Sequence, residues 1–93
     1  MTQNKLKRVK LEIIKDILKI IQDNKEIRIT PLIRKSNISS SRFYEYFQDL
    51  LQKQLIIQKT NSKTGKVIVL SEKGNKFLEK YKTIISFIEE FEL

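Results

Sequence analysis

Between positions 40 and 48 the chain carries Ser40, Ser41, Arg42, Tyr44, Glu45 and Gln48, donors and acceptors gathered on one short segment. Such side chains suit base edges. An arginine fork matches guanine O6 and N7, a glutamine amide matches adenine N6 and N7, and a carboxylate accepts from cytosine N4. Each such contact discriminates between bases by about 1–3 kcal/mol. Serine hydroxyls and the free N–H groups of a helix start suit phosphate oxygens. The same residue type also caps helices, and Ser39 is placed to do so. Glu45 opposes the pattern, because a phosphate repels an acid. It reads either as a specificity element or as a sign that the contacting face is rotated.

The charge around this segment is one-sided. Residues 27–44 hold Arg28, Arg34, Lys35 and Arg42 with no acid, and residues 50–71 hold Lys53, Lys59, Lys63 and Lys66, again with no acid. All 19 Lys and Arg precede Thr83, whereas residues 83–93 hold Glu89, Glu90 and Glu92 with no base, and the net charge is +8. One exposed lysine is ordinary; two long acid-free windows point to a polyanionic partner. Glu12, Lys15, Asp16 and Lys19, by contrast, alternate in sign at helical spacing and read as a neutralised solvent face.

Composition removes other chemistries. There is no His and no Cys, hence no disulfide framework, no thiolate metal site and none of the commonest general base. The carboxylates show no paired arrangement, so no enzymatic activity, metal site or cofactor is expected. No small-molecule ligand is evident either. With 93 residues, 40% of them hydrophobic, the chain suits one folded domain. Its first ten residues lack an apolar run, so they are not read as a secretory signal, and no stretch approaches the roughly 18 apolar residues of a membrane span. The expectation is a cytoplasmic, nucleoid-associated protein without a membrane partner.

The elements that must position these residues follow from periodicity and capping. Residues 5–23 form a helix with Leu6, Val9, Ile13, Ile17, Ile20 and Ile21 on one stripe. Residues 26–29 alternate as a short strand. Thr30 is expected to cap a brief helix over 31–36, with Pro31 at its first position. Asn37 should stop it in a left-handed conformation, and Ser39 should cap a helix over 40–53. In that helix Phe43, Phe47, Leu50 and Leu51 share one face. Ser41, Arg42, Glu45, Gln48 and Gln52 lie opposite, with Tyr44 and Tyr46 on the flanks. Residues 55–70 read as a hairpin turning through 61–66, where Gly65 suits a positive φ. Ser71 should cap a last helix, placing it over 71–91. Two helices joined by a tight turn and followed by a hairpin make a winged helix-turn-helix. The expected class is therefore α+β, mostly α, as a single domain over 1–93 with a long C-terminal helix.

The strings Arg8-Val9-Lys10-Leu11-Glu12-Ile13-Ile14, Ser36-Asn37-Ile38-Ser39, Tyr46-Phe47 and Leu70-Ser71-Glu72-Lys73-Gly74 followed by Phe77-Leu78-Glu79-Lys80-Tyr81 carry a resemblance. They are similar to those of the archaeal winged-helix family of small basic chromatin proteins and predicted transcriptional regulators. The resemblance spans nearly the whole chain. It implies DNA binding as a dimer, with the C-terminal helices pairing as an antiparallel coiled coil. One departure is Gln54, where family members usually have Gly. A left-handed Gln costs about 1 kcal/mol more than Gly, so the helix either accepts that strain or ends differently.

On this reading the partner is double-stranded DNA. Ser40, Ser41, Arg42, Tyr44, Glu45 and Gln48 would enter the major groove, Arg28, Arg34 and Lys35 would flank it, and Lys59, Lys63 and Lys66 would reach the backbone from the wing. The last helix repeats Phe77, Tyr81, Ile84, Ile88 and Phe91 at heptad spacing, with Ile85 beside them. These six are the expected homodimer interface. The function expected is sequence-specific regulation of transcription. The alternatives are an architectural chromatin protein of low specificity and a winged helix used for protein contacts.

Overall fold

The computed structural model describes the backbone of residues 2–92 and the side chains of residues 10–92. Leu6 and Val9, expected on the first apolar stripe, have side chains outside the described residues. In chain order the elements are α1 (Thr2–Asn24), β1 (Glu26–Ile27), α2 (Ile29–Ser36), α3 (Ser40–Gln52), β2 (Ile56–Asn61), β3 (Gly65–Leu70) and α4 (Glu72–Glu90). The strands form an antiparallel sheet in the order β1-β3-β2. Mostly helical, with a small sheet and a long last helix, this is a winged-helix fold.

The core lies where α1, α2, α3 and the sheet meet. Ile17, Leu18 and Ile21 of α1, Leu32 of α2, Phe43 and Leu50 of α3, Ile56 of β2 and Ile68 of β3 are almost wholly removed from water. Phe77 and Leu78 of α4 pack against this cluster half-buried. Tyr46, expected on a polar flank of α3, also leans on the core half-buried.

α2 starts earlier than its sequence suggests. Arg28 is the extended residue before it and provides no side-chain cap, so Thr30 is not the cap and Pro31 is not the first helical position. The first intrahelical bond runs from Leu32 N–H to the Arg28 carbonyl. Pro31 still sits in the first turn, where its missing N–H would have had no partner in any case. The same shift shortens the preceding strand to Glu26–Ile27. Asn37 ends α2 at φ 58 and ψ 38, as its short polar side chain allows. Ser39 caps α3 by accepting from Arg42 N–H at 3.4 Å.

α3 keeps the left-handed stop without a glycine. Gln54 adopts φ 61. Leu55 N–H bonds the Leu50 carbonyl and Gln54 N–H bonds the Leu51 carbonyl, each at 3.0 Å. That is the Schellman pattern. Burial of Leu55, which follows the turn, offsets a strain of about 1 kcal/mol. The hairpin is tighter than the expected loop over 61–66: Asn61 pairs with Gly65, leaving three residues between them. Lys63 N–H bonds the Asn61 side-chain oxygen at 2.8 Å, and Gly65 takes φ 83. Three-residue hairpin loops favour a left-handed residue there.

Ser71 ties α3, the sheet and α4 together. Its hydroxyl donates to the Gln54 carbonyl at 2.7 Å and accepts from Gly74 N–H at 2.9 Å. Its backbone N–H bonds the Leu55 carbonyl at 3.1 Å. Ser71→Ala removes a cap and leaves the Gln54 carbonyl short of a partner. A loss of about 2 kcal/mol is expected, read as a lower urea midpoint at unchanged slope.

Candidate nucleic-acid interface

The twelve side chains expected to touch DNA all lie exposed on the structure. α3 is held by Phe43, Phe47 and Leu50, so the opposite face of its cylinder is fixed toward solvent. At about 100° per residue, Ser41, Glu45, Gln48 and Gln52 occupy the middle of that face. Tyr44 stands on one margin and Arg42 on the other. Arg42, Glu45, Tyr46 and Asp49 line a shallow depression together with Lys10 of α1. Glu45 therefore sits on the recognition face beside a rim carrying Arg42 and Lys10, with positive charge near it. Lys10 was not expected here. Its only sequence signal is its place in the basic opening run with Lys5, Lys7 and Arg8.

Arg28 adjoins β1 at the start of α2, and Arg34 and Lys35 occupy the last turn of α2. Cations there also favour the negative end of the helix dipole. The wing does not gather its lysines on one face. Lys59 pairs with Val67 and Lys66 with Thr60 across the hairpin. Adjacent pairs point to opposite faces, so Lys59 and Lys66 diverge while Lys63 sits in the connecting loop. Such an arrangement embraces a backbone more readily than it reads base edges.

Ion pairing separates this surface from the rest. The described residues form three ion pairs: Lys15–Asp16 at 2.8 Å, Lys19–Asp23 at 3.1 Å and Lys53–Asp49 at 3.0 Å. All lie on α1 or at the end of α3. Among the described residues none engages Arg28, Arg34, Lys35, Arg42, Lys59, Lys63 or Lys66.

A second surface lies on α4. Leu78, Tyr81 and Ile85 line a groove with Lys15, Lys19 and Gln22 of α1, and Phe77 stacks on Tyr81 at 6.2 Å. Beyond them Ile84, Phe87 and Phe91 are each more than half exposed, and Ile88 is 36% exposed. The single heptad seam read from sequence thus divides in two. One stripe leans on α1, and another, turned roughly 100° around the helix, faces solvent. Phe87, outside the heptad count, belongs to the second, its ring 4.7 Å from that of Phe91.

No helix of the described residues is long and apolar enough to cross a membrane. Among the same residues no cluster of His, Cys, Asp or Glu could hold a metal ion.

The family model described as winged helix-turn-helix matches residues 7–89. Among solved structures, Sso10a-2, a DNA-binding protein from Sulfolobus solfataricus, is 24% identical with a TM-score of 0.69, over 86% of this chain and 81% of that one. F-93 of SSV1 is 25% identical with a TM-score of 0.66, over 85% of this chain and 91% of that one. No curated protein matches the sequence.

Proposed function

Because this chain belongs to the winged helix-turn-helix family, we propose that it binds double-stranded DNA as a homodimer and regulates transcription by recognising a specific site. The observation that carries the reading is the set of unpaired basic residues from α2, α3 and the wing around an exposed recognition face. α3 enters the major groove, with Gln48 and Ser41 on its central face and Arg42 at its margin. Arg28, Arg34 and Lys35 contact phosphates beside the groove. Lys59, Lys63 and Lys66 straddle the backbone next to it. The description of Sso10a-2 as DNA-binding agrees with this assignment.

The exposed stripe of Ile84, Phe87, Ile88 and Phe91 supports the dimer, since a monomer would leave those side chains in water. Charge favours antiparallel pairing of the two copies of α4. Lys73, Lys76, Lys80 and Lys82 outnumber Glu72 and Glu79 over residues 72–82, while residues 83–93 hold Glu89, Glu90 and Glu92 and no base. A two-fold dimer presents two copies of α3, so the site is two-fold, with half-sites one helical turn apart or a multiple of it. Covering a promoter needs no further domain, and such a protein works at the nucleoid.

Selection of bound duplexes from a random pool tests the reading. Enrichment of a two-fold motif is expected. Tight binding with no enrichment would make the protein architectural instead, and failure to retain duplex DNA would overturn the reading. Arg42→Ala should relax preference at one position per half-site by about 1–3 kcal/mol. Lys63→Gln should weaken all duplexes alike and lower the salt slope by about one.

A further inference from the structure

We infer that Tyr44 reads thymine, its ring edge packing on the 5-methyl group in the major groove. The inference rests on the DNA-binding role proposed for α3. Tyr44 is 45% exposed, and its ring packs against two core aromatics. It stands edge-on to Phe43, at 5.8 Å and 82°, and to Phe47, at 6.4 Å and 87°. Those two rings are buried and stacked on each other at 5.6 Å. The core therefore fixes the direction in which an apolar surface leaves the recognition helix.

Helical geometry puts Ser40, Ser41 and Gln48 on the same side as Tyr44, within about 60° around the axis. The ring thus belongs to the face that would enter the groove. In that groove base edges offer polar donors and acceptors, and the thymine methyl is the apolar exception. An oriented aromatic edge gains by covering that methyl and cannot satisfy the polar groups beside it. Gln48, suited to adenine, lies four residues on, a rise of about 6 Å. That spans roughly two base steps of about 3.4 Å. Tyr44 and Gln48 together then specify A·T pairs within about two steps of one another.

Deoxyuridine scanning tests the assignment, because it removes one methyl at a time and leaves base pairing unchanged. A duplex selected by the wild-type chain is used, with Tyr44→Phe and Tyr44→Ala for comparison. At one position per half-site, deoxyuridine should weaken wild-type binding about four-fold, the transfer value of one buried methyl group. Tyr44→Phe should keep that dependence, and Tyr44→Ala should bind the thymine and uracil duplexes equally. Three outcomes overturn the assignment while leaving DNA binding standing. The first is no sensitivity at any position, and the second is sensitivity that survives in Tyr44→Ala. The third is a uniform loss in Tyr44→Phe without methyl dependence, which would mark a hydroxyl–phosphate contact. A wild-type chain that binds no duplex removes the functional reading and this assignment with it.

Discussion

Gly74→Ala is expected to cost the fold about 3–5 kcal/mol, enough to leave a domain of this size largely unfolded at modest urea. A Cβ at this position would fall well inside van der Waals contact distance of the Leu55 carbonyl oxygen and 2.7 Å from Leu70 Cδ1. The leucine can rotate away. The carbonyl cannot, because it is backbone and accepts the Ser71 N–H at 3.1 Å. Relief requires the start of α4 to lift from the junction, which breaks the bonds Ser71 makes to Gln54 and Leu55. Gly65 supplies the control. A Cβ there meets nothing within 4 Å, so only its φ of 83 resists substitution, and Gly65→Ala should cost about 1 kcal/mol. Urea midpoints for the two variants check the contrast. Equal shifts would show that the close approach at Gly74 is not what holds α4 in place.

The second large effect concerns assembly. Ile84→Lys with Ile88→Lys should convert a dimer into a monomer of 11.1 kDa, seen by sedimentation equilibrium at micromolar concentration. Neither residue belongs to the buried core, so thermal unfolding of the monomer should stay cooperative. Affinity for a two-fold duplex should fall by roughly 10²-fold or more, because the second half-site loses its effective concentration. Affinity for a single half-site should change little, apart from the added positive charge. An unaltered mass would contradict the interface. A wild-type chain that already sediments at 11.1 kDa would contradict the dimer itself.

Features written into one or two residues were legible from sequence. Asn37, Ser39, Ser71 and Gly65 do what their local chemistry allows, since a left-handed turn or an N-cap needs only nearby backbone. The burial of Phe43, Phe47 and Leu50 followed from periodicity alone. Features set by the packing of one element on another were not legible. Proline is tolerated anywhere in a first turn, so Thr30-Pro31 could not place the start of α2. Lys10 reaches the rim beside Arg42 and Glu45 only because the fold brings its end of α1 near α3. Division of the α4 stripe depends on which of its sides α1 covers, and a heptad count carries no such information. Gln54 behaves as glycine would, because the buried Leu55 that follows holds the turn closed.

The central claim is that the unpaired basic surface around α3 neutralises DNA phosphates. Equilibrium binding of the wild-type chain to a duplex, measured from about 50 to 200 mM salt, tests it most directly. If six to eight phosphates are neutralised per bound unit, log K should fall against log[salt] with a slope of roughly −5 to −7. A slope near zero, or no binding at the lowest salt, would contradict the claim.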